Sequence, residues 1–413
     1  MQDRPRRSSI DLFCGAGGLT LGLSTAGFAT ALGSDYWQPA VRTFGHNFEG
    51  TPFLPADARD LTAQDLLSKA GLDHPPDLVV GGPPCQGFSS AGARAVGDHR
   101  NNLVGVFADL VAELKPRAFL FENVEGFLTA ANGDFVVALL DPLIEAGYRI
   151  HLRKCNVANF GVPQLRKRVI GVGLLGADPE FPTPTHRAHG APGAHRVGSR
   201  TLPLTPSVRE ALAYLPVPGE QPPGEPPDHF TRPLGPDDLA RVKALAQGQT
   251  MRDLPPELHH FSYRRRAFRW VMDGTLTERR GGAPAAVRRL RDNEPAKAIT
   301  GAAVRELVHP NVDRLLTLRE CARLQTFPDT FEFLGNQSER SILVGNAVPP
   351  MFAAALGAAL LRSLEQSITA TDGLGRLLSF DPTVADAKSP ALQAVEQRIA
   401  HRYHLGRELT LWL

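Results

Sequence analysis

Short apolar runs alternate with helical hydrophobic patterns along the first 175 residues of the chain. Apolar runs bounded by glycine, proline or polar residues predict strands, and apolar residues spaced three and four apart predict helices. Their alternation predicts an α/β fold with a doubly wound mixed sheet. The predicted strands are Ile10–Phe13, Ala29–Gly33, Leu78–Val80, Ala118–Phe121, Tyr148–Leu152 and Val169–Leu174. The predicted helices are Leu19–Ala26, Pro39–Asn47, Leu103–Leu114 and Phe135–Ala146.

The periodicity weakens at about residue 176, and residues 182–236 are rich in proline and glycine. This change predicts a second, smaller and irregular domain. Helical patterns return at Leu318–Gln325 and Val348–Leu364, which we expect to pack back on the first domain. The predicted parts are therefore a first domain, 1–175, a middle domain, 176–317, a C-terminal return to the first domain, 318–365, and a tail, 366–413. The tail has one helical pattern, Ala391–Tyr403, and the sequence assigns it no role.

The net charge is only +2, from 45 basic and 43 acidic residues, so it indicates no particular class of partner. The distribution is more informative, because the stretch from His259 to Arg291 contains nine arginines and only two acidic residues. Such a cluster is typical of a nucleic-acid contact or, alternatively, of a solvated basic face. Its arginines are Arg264, Arg265, Arg266, Arg269, Arg279, Arg280, Arg288, Arg289 and Arg291.

The four cysteines, at positions 14, 85, 155 and 321, are widely spaced and fit no metal-binding pattern. Few, unpatterned cysteines favour a reducing compartment. The polar N-terminus has no apolar signal region, and the longest apolar run, Met351–Leu361, is too short to cross a bilayer. We therefore expect a cytoplasmic protein that binds neither a metal ion nor a membrane.

A glycine-rich turn, Asp11-Leu12-Phe13-Cys14-Gly15-Ala16-Gly17-Gly18-Leu19, follows the first predicted strand. Glycines let the backbone turn tightly and approach a ligand, and the helix that follows begins with unpaired N–H groups. A dinucleotide fingerprint would place a third glycine at position 20, where Thr20 stands. A nicotinamide enzyme therefore fits less well, and a simple tight turn is the alternative.

Two acidic residues follow the next strands: Asp35 after the second, and Asp57 after Phe53-Leu54. An acid at the first position commonly binds ribose hydroxyls, although either residue alone is more often solvated. Ligands of open α/β sheets bind at the carboxyl ends of the strands. The turn and the two acids therefore predict one site, which could hold the ribose, adenine and amino-acid parts of S-adenosylmethionine.

The stretch Leu78–Ser90 joins a buried strand to two glycines, two prolines and a cysteine. Pro83 and Pro84 fix the backbone before Cys85, and the small residues after it are typical of a mobile lid. A cysteine is most often a small buried hydrophobe, which suits the other three better. The rigid setting of Cys85 at a strand end predicts a reactive thiol.

Charged residues at two further strand ends complete the candidate reactive group. Glu122 ends one strand, and Gln164, Arg166 and Arg168 alternate at the start of another, so they are expected to share a face. Taken alone, Glu122 is equally a helix cap or ion-pair partner, and the arginines are equally a solvated basic edge.

In order along the chain, these segments resemble the cytosine-5 DNA methyltransferase family. The resemblance covers the first domain and residues 315–350, and leaves the middle unmatched. It implies the Rossmann-like fold of S-adenosylmethionine-dependent methyltransferases, S-adenosylmethionine as the cofactor, and a monomer. The matching segments are Asp11–Gly18, Pro83–Gln86, Glu122–Val124, the alternating Gln164, Arg166 and Arg168, Arg319–Pro328 and Gly345–Pro350.

The resemblance implies covalent catalysis, because carbon 5 of cytosine is a poor nucleophile. The Cys85 thiolate adds to carbon 6, Glu122 holds ring nitrogen N3 and shares or donates a proton, and Arg168, with Arg166, fixes the base and the carboxylate. Carbon 5 then attacks the sulfonium methyl group, and loss of its proton and of Cys85 completes the cycle. The cytosine must be flipped out of the duplex, and residues 86–101 could close over it.

The resemblance also implies ligand-binding residues, with residues 176–317 as a target recognition domain for double-stranded DNA. Many relatives have a threonine where Ala298 stands, which leaves the local DNA contacts open. Such compact enzymes are typical of bacterial restriction–modification systems, where a separate restriction endonuclease is a possible partner. The expected cofactor residues are Phe13, Gly15, Gly17, Gly18, Leu19, Asp35, Tyr36, Asp57, Ala58, Pro83, Leu103, Asn346 and Val348. The expected DNA-binding residues are Gln86, Ser89, Arg264, Arg265, Arg266 and Arg269.

Three other functions fit part of the pattern. A transfer-RNA cytosine methyltransferase would use the same chemistry, but the sizeable, arginine-rich middle domain favours DNA. A binding protein without catalysis would not need Cys85, Glu122 and Arg168 together. A nicotinamide oxidoreductase is the most distant alternative, and failure to bind S-adenosylmethionine would revive it.

Overall fold

The computed structural model describes residues 6–84, 103–188, 201–219, 226–266, 269–270, 276–277, 287–366, 374–383 and 388–405. Within these ranges the strands are β1 Arg7–Leu12, β2 Phe28–Ser34, β3 Phe53–Leu54, β4 Leu78–Gly81, β5 Ala118–Val124, β6 Tyr148–Asn156, β7 Gln164–Leu165, β8 Lys167–Leu175, β9 Arg269–Trp270, β10 Leu276–Thr277, β11 Arg288–Arg289, β12 Ala296–Lys297, β13 Leu307–Val308 and β14 Arg376–Asp381. The α-helices are α1 Gly18–Ala26, α2 Gln38–Asn47, α3 Ala63–Ala70, α4 Leu103–Leu114, α5 Asp134–Glu145, α6 Val208–Ala211, α7 Pro236–Ala244, α8 Phe261–Arg266, α9 Ala303–Glu306, α10 Leu318–Leu324, α11 Gln337–Asn346, α12 Pro350–Glu365 and α13 Pro390–Arg402.

Eight strands form one mixed sheet in the order β14-β6-β8-β5-β4-β1-β2-β3. All neighbouring strands are parallel except β8, which runs antiparallel to both β5 and β6. The start of β8 therefore lies at the same sheet edge as the carboxyl end of β5. The predicted doubly wound mixed sheet is confirmed.

The strands of the sheet are apolar at successive positions, and alternate residues point to opposite sides, so both faces of the sheet are apolar. Phe119 and Phe121 of β5 pack in a buried cluster with α4 and α5. Ala118 and Leu120 pack in a second cluster with α1 and α12. The two helical layers thus sandwich the sheet and leave its strand ends as the accessible edge.

The middle of the chain is built differently. Its strands β9 to β13 have two residues each, and its helices α6 to α9 have four to nine. One small apolar cluster there includes Val242, Met251, Leu254 and Val308. Strand β12 pairs with β7 beside the large sheet, so this region is anchored next to the start of β8.

The tail, whose role the sequence left open, completes the sheet. Strand β14 pairs in parallel with β6 at the edge of the sheet. Leu377 of β14 and Val395 and Ile399 of α13 join the buried cluster of α4 and α5. The predicted tail helix is present, and the strand before it was not predicted.

Among the described residues, one helical stretch, Gln337–Glu365, is long and apolar enough to cross a membrane. It comprises two helices, α11 and α12, and 67% of its most apolar window is buried inside the protein. Its second half packs along α1 in the core, which accounts for its apolar character.

Candidate active site

Glu122 and Arg168 meet at the carboxyl edge of the sheet. The antiparallel register of β5 and β8 sets Val124 opposite Arg168, so Glu122, two residues earlier, lies diagonally across on the same face. Arg168 Nε lies 2.6 Å from Glu122 Oε1, and the two side chains are only 15% and 10% exposed. The predicted association of this carboxylate and this arginine is present.

The carboxylate of Glu122 also lies against the backbone that leads to Cys85. A Cβ atom added to Gly82 would lie 2.9 Å from Glu122 Oε2, so a side chain at position 82 would displace this carboxylate from its place. The buried Asn123 donates a hydrogen bond from Nδ2 to the carbonyl of Pro83 at 2.9 Å. Two consecutive residues of β5 thus hold the end of β4. The role of Asn123 was missed, although it lies inside the Glu-Asn-Val motif.

The predicted nucleophile, Cys85, and the loop residues Gln86 and Ser89 lie outside the described residues. Cys14, Cys155 and Cys321 are all buried. Burial raises the pKa of each of these thiols, that of Cys155 to about 12. These three cysteines are therefore unreactive packing residues, as the sequence indicated.

Arg166 does not share the position of Arg168. Its guanidinium is 1% exposed and donates to the carbonyl of Ile299 at 2.5 Å and to that of Gly345 at 2.8 Å. Burial lowers the pKa of the Arg166 guanidinium. Gln164 also binds Ile299, accepting from its backbone N–H at 3.0 Å. Arg166 therefore contacts backbone at a junction of chain segments, and only Arg168 pairs with Glu122.

The glycine turn between β1 and α1 has the geometry of a ligand cradle. Gly15 has φ +55° and open space where a side chain would project. Gly17 has φ +87°, and a Cβ atom there would strike the ring of Phe48 at 2.2 Å. At Gly18 a Cβ atom would lie 2.2 Å from the carbonyl of Val348, so the returning C-terminal segment packs directly on the turn.

A cleft beside this turn brings together residues from three strand ends. Both oxygens of Asp35 accept backbone hydrogen bonds, from Gly15 at 3.0 Å and from Trp37 at 2.9 Å. Burial raises the pKa of Asp35. The cleft is lined by six of the predicted cofactor residues, Phe13, Asp35, Tyr36, Asp57, Ala58 and Leu103, together with Leu12, Ser34 and Ala56.

Two further carboxylates set the electrostatics of this edge. Asp57 accepts from Arg59 Nε at 2.9 Å, and this contact lowers the pKa of Asp57. Asp11 is fully buried, and its Oδ2 accepts from the Thr20 hydroxyl at 2.7 Å. Burial raises the pKa of Asp11 to about 7. The sequence identified Asp11 only as the start of the turn and missed its buried pair with Thr20.

The remaining predicted cofactor residues lie around the turn or near it. Leu19 and Val348 are buried behind it, and Asn346 is exposed at the end of α11. Pro83 is held by Asn123 at the adjoining strand end. The carboxylate of Asp35 can accept hydrogen bonds from ribose hydroxyls, and the open space at Gly15 lets the amino-acid part of a ligand approach the turn.

The predicted DNA-binding arginines are only partly described. Arg264 is exposed and donates to the carbonyl of Pro256, and the side chains of Arg265, Arg266 and Arg269 lie outside the described residues. The interpretation of the wider arginine cluster as one basic surface is wrong for Arg289, which is buried. It is 5% exposed and binds the carbonyls of Leu245 and Val242, both at 2.7 Å, so it holds the middle region together.

Comparison with known proteins decides between the remaining interpretations. The family of C-5 cytosine-specific DNA methylases matches residues 8–215 and 232–362. The chain belongs to this family. The matched ranges include most of the middle region, so the relationship extends further than the motifs on which the resemblance rested, and this DNA methylase is a DNA cytosine-5 methyltransferase.

Individual relatives agree over most of their length. The Type II methyltransferase M1.HphI of Haemophilus parahaemolyticus is 32% identical over 365 residues, 86% of each chain. The Type II methyltransferase M.XorII of Xanthomonas oryzae pv. oryzae is 31% identical over 87% of this chain and 86% of its own. A prophage-encoded protein of E. coli, assigned as a DNA modification methyltransferase, has a TM-score of 0.59 at 26% identity and covers 87% of this chain and 100% of its own.

Proposed function

We propose that this DNA methylase is the methyltransferase of a Type II restriction–modification system, and that it transfers a methyl group from S-adenosylmethionine to a flipped cytosine in duplex DNA. The observation that carries the proposal is the Glu122–Arg168 pair, held against the Gly82–Pro83 backbone that leads to Cys85. The glycine turn and its cleft lie at the same sheet edge, one strand away from β4.

In the proposed reaction the Sγ atom of Cys85 bonds to carbon 6 of cytosine. Electron density moves to carbon 5, and Glu122 supplies a proton or a hydrogen bond at N3, so that the ring becomes enamine-like. Bound S-adenosylmethionine supplies the electrophilic methyl group. After methylation, a solvent base takes the proton of carbon 5, the electrons of that C–H bond re-form the carbon 5–carbon 6 double bond, and the Sγ–carbon 6 bond breaks to release the Cys85 thiolate. A proton supplied at N3 returns to Glu122, which restores both residues.

Arg168 gives the carboxylate a fixed place. Its Nε lies against Glu122 and its Nη1 donates to the Lys167 carbonyl at 2.7 Å, so the guanidinium is held on two sides. Positioning of this kind can contribute several kcal/mol to catalysis. A free thiol with a pKa of about 8.5 is only about 3% thiolate at pH 7, so activation of Cys85 adds a smaller gain.

The cofactor is assigned to the glycine turn and the adjoining cleft. Asp35 and Asp57 are proposed to face the ribose and adenine, and Gly15 to let the amino-acid part approach the backbone. Val348 and Asn346 close this site from the C-terminal side. These assignments rest on the shared cleft and on the packing of the Val348 carbonyl on Gly18.

The substrate and setting follow from the same proposal. A cytosine inside a duplex must be flipped out of the base stack to reach the proposed site, at a cost of a few kcal/mol. Two of the relatives named above are Type II methyltransferases, which supports a separate restriction endonuclease as partner. We propose a monomer acting in the cytoplasm, where bacterial DNA lies.

Bisulfite sequencing of DNA from cells that express the protein tests this function. We expect cytosines within one short DNA sequence to resist conversion. In cells that express Cys85→Ala, we expect no cytosine to be protected. In parallel, purified protein should methylate duplex DNA and not transfer RNA. Protection of transfer RNA alone, or no protected cytosine in either, would contradict the proposal.

A further inference from the structure

Three fully buried polar side chains meet where the catalytic sheet, the middle region and the C-terminal helices join. Gln164 and Gln325 are 0% exposed, and Arg166 is 1% exposed. The amide Nε2 of Gln164 donates to Gln325 Oε1 at 2.6 Å and to the Leu324 carbonyl at 2.8 Å. Buried polar groups are costly unless satisfied, so such a network fixes its partners in one arrangement.

The network holds one backbone segment, Ile299–Gly301, from both sides. Ile299 donates its N–H to Gln164 and accepts from Arg166, and α11 packs on the next two residues. A Cβ atom at Gly345 would lie 2.1 Å from the backbone nitrogen of Gly301, so helix and segment are in direct backbone contact. The segment therefore cannot move without moving β7, Arg166 or α11.

The same network reaches the cofactor side. Gln325 donates from Nε2 to the Val344 carbonyl at 2.6 Å and to the Ala347 carbonyl at 3.3 Å. These carbonyls flank Asn346 and precede Val348, whose carbonyl packs on Gly18. On the catalytic side, Arg166 lies two residues before Arg168, which pairs with Glu122.

We infer that Gln164, Arg166 and Gln325 are positioning residues that set the Glu122–Arg168 pair and the cofactor-side segment 346–348 relative to the middle region that holds the DNA. This inference rests on the proposed function. It assigns Arg166 to positioning instead of contact with the base, and adds Gln164 and Gln325 to the catalytic apparatus. DNA bound by the middle region would then meet the pair in a fixed geometry only while the junction is intact.

Single-turnover methyl transfer on a short duplex, at saturating S-adenosylmethionine, tests the inference. Gln164→Met and Gln325→Met keep the volume but remove the amides. We expect the methyl-transfer rate to fall by about 10- to 100-fold, because small misplacements cost that much. We expect the dissociation constant for the duplex to stay within about threefold. The double variant should be little slower than either single variant, because the two amides act as one unit.

Arg319→Lys is the matched control. Arg319 is a buried arginine of α10 that binds the carbonyls of Pro227, Pro328 and Phe331, at 2.9, 2.9 and 2.5 Å, none of which is bound by the junction residues. The Arg319→Lys variant should have a lower melting temperature but an unchanged methyl-transfer rate per folded molecule. If the methionine variants do not fold, Arg166→Lys is measured instead, because lysine keeps the charge but has one nitrogen in place of the two that bind Ile299 and Gly345.

Wild-type rates per folded molecule in the junction variants, or additive losses in the double variant, would overturn the inference. A loss matched by Arg319→Lys would also overturn it, because the effect would then be on stability alone. Absence of methyl transfer by the wild-type protein would instead contradict the proposed function, so the two failures are distinguishable.

Discussion

The catalytic half and the middle region of this methyltransferase are stabilised by different means. The catalytic half buries apolar side chains on both faces of an eight-stranded sheet. The middle region has strands of two residues, and its small apolar cluster is supplemented by buried polar contacts, such as those of Arg289 with its backbone carbonyls and with Asp313 Oδ1 at 2.6 Å. A sheet edge can hold reacting groups rigidly, whereas a loop-rich region can vary its surface, which suits recognition of different DNA words.

The proposed mechanism assigns every bond-making step to the catalytic half, and Cys85→Ala tests that assignment with the largest expected effect. We expect no measurable methyl transfer, because the bond to carbon 6 cannot form, while the dissociation constant for a cognate duplex stays near the wild-type value. The measurement is incorporation of labelled methyl groups beside a gel-shift titration. Retained activity would remove Cys85 from the mechanism, and failure to bind DNA would contradict the division between the halves.

Glu122→Gln is expected to have the next largest effect. The amide keeps the shape of the side chain but cannot supply the same proton, so turnover should fall by at least about 10²-fold. The rate is measured under single-turnover conditions, and binding of the duplex serves as the control. A near-normal rate would show that Glu122 is only an ion-pair partner of Arg168.

Asp11→Asn is expected to change the pH dependence of the free energy of unfolding. Because burial raises the pKa of Asp11 to about 7 from 3.8, the folded protein binds a proton more tightly than the unfolded chain. The contribution of Asp11 to stability is therefore greatest below about pH 4 and is lost as the pH rises to about 7. We expect Asp11→Asn to remove this loss, so that its stability relative to wild type rises by about 2 to 3 kcal/mol between pH 5 and pH 8.

Urea denaturation at the two pH values measures this effect. The matched variant is Asp57→Asn, whose carboxylate has its pKa lowered by the contact with Arg59 and should show no comparable gain above pH 5. Equal pH dependence in wild type and Asp11→Asn would show that Asp11 is ionised in the folded protein.

Alanine substitution of Arg264, Arg265, Arg266 and Arg269 together should have the smallest effect. We expect weaker DNA binding and a salt dependence that is flatter by about 0.9 for each phosphate that the variant no longer neutralises. The control is Arg398→Ala on α13, which pairs with Asp134 at 2.8 Å on the tail side of the molecule. An unchanged salt slope would make the cluster a solvated face and leave the DNA contacts to other parts of the middle region.

The two halves also differ in how far the sequence predicts them. Hydrophobic periodicity predicted six of the eight strands of the large sheet, and parallel topology then brought Asp35, Asp57 and the glycine turn to one edge. The alternation of Gln164, Arg166 and Arg168 did not reveal that the first two would bind Ile299 while the third binds Glu122. Partners so distant along the chain leave no local pattern.

The number of arginines in the middle region overstated its basic surface for a related reason. Arg289 counts as one more positive charge in the sequence, but its guanidinium is buried among carbonyls. Strand β14 was missed because its six residues, Arg376–Asp381, carry charged ends and only two buried apolar side chains. Both errors arise where tertiary contacts, and not local patterns, decide the outcome.

The central claim is that Cys85 forms a covalent bond to the target cytosine beside Glu122. The most direct measurement is mass spectrometry of the protein after incubation with S-adenosylmethionine and a cognate duplex carrying 5-fluorocytosine, since fluorine replaces the proton that must leave carbon 5 and so stalls the reaction. We expect a stable protein–DNA adduct that maps to the Cys85 peptide and is absent in Cys85→Ala. An adduct at another residue, or none while the unmodified duplex is methylated, would contradict it.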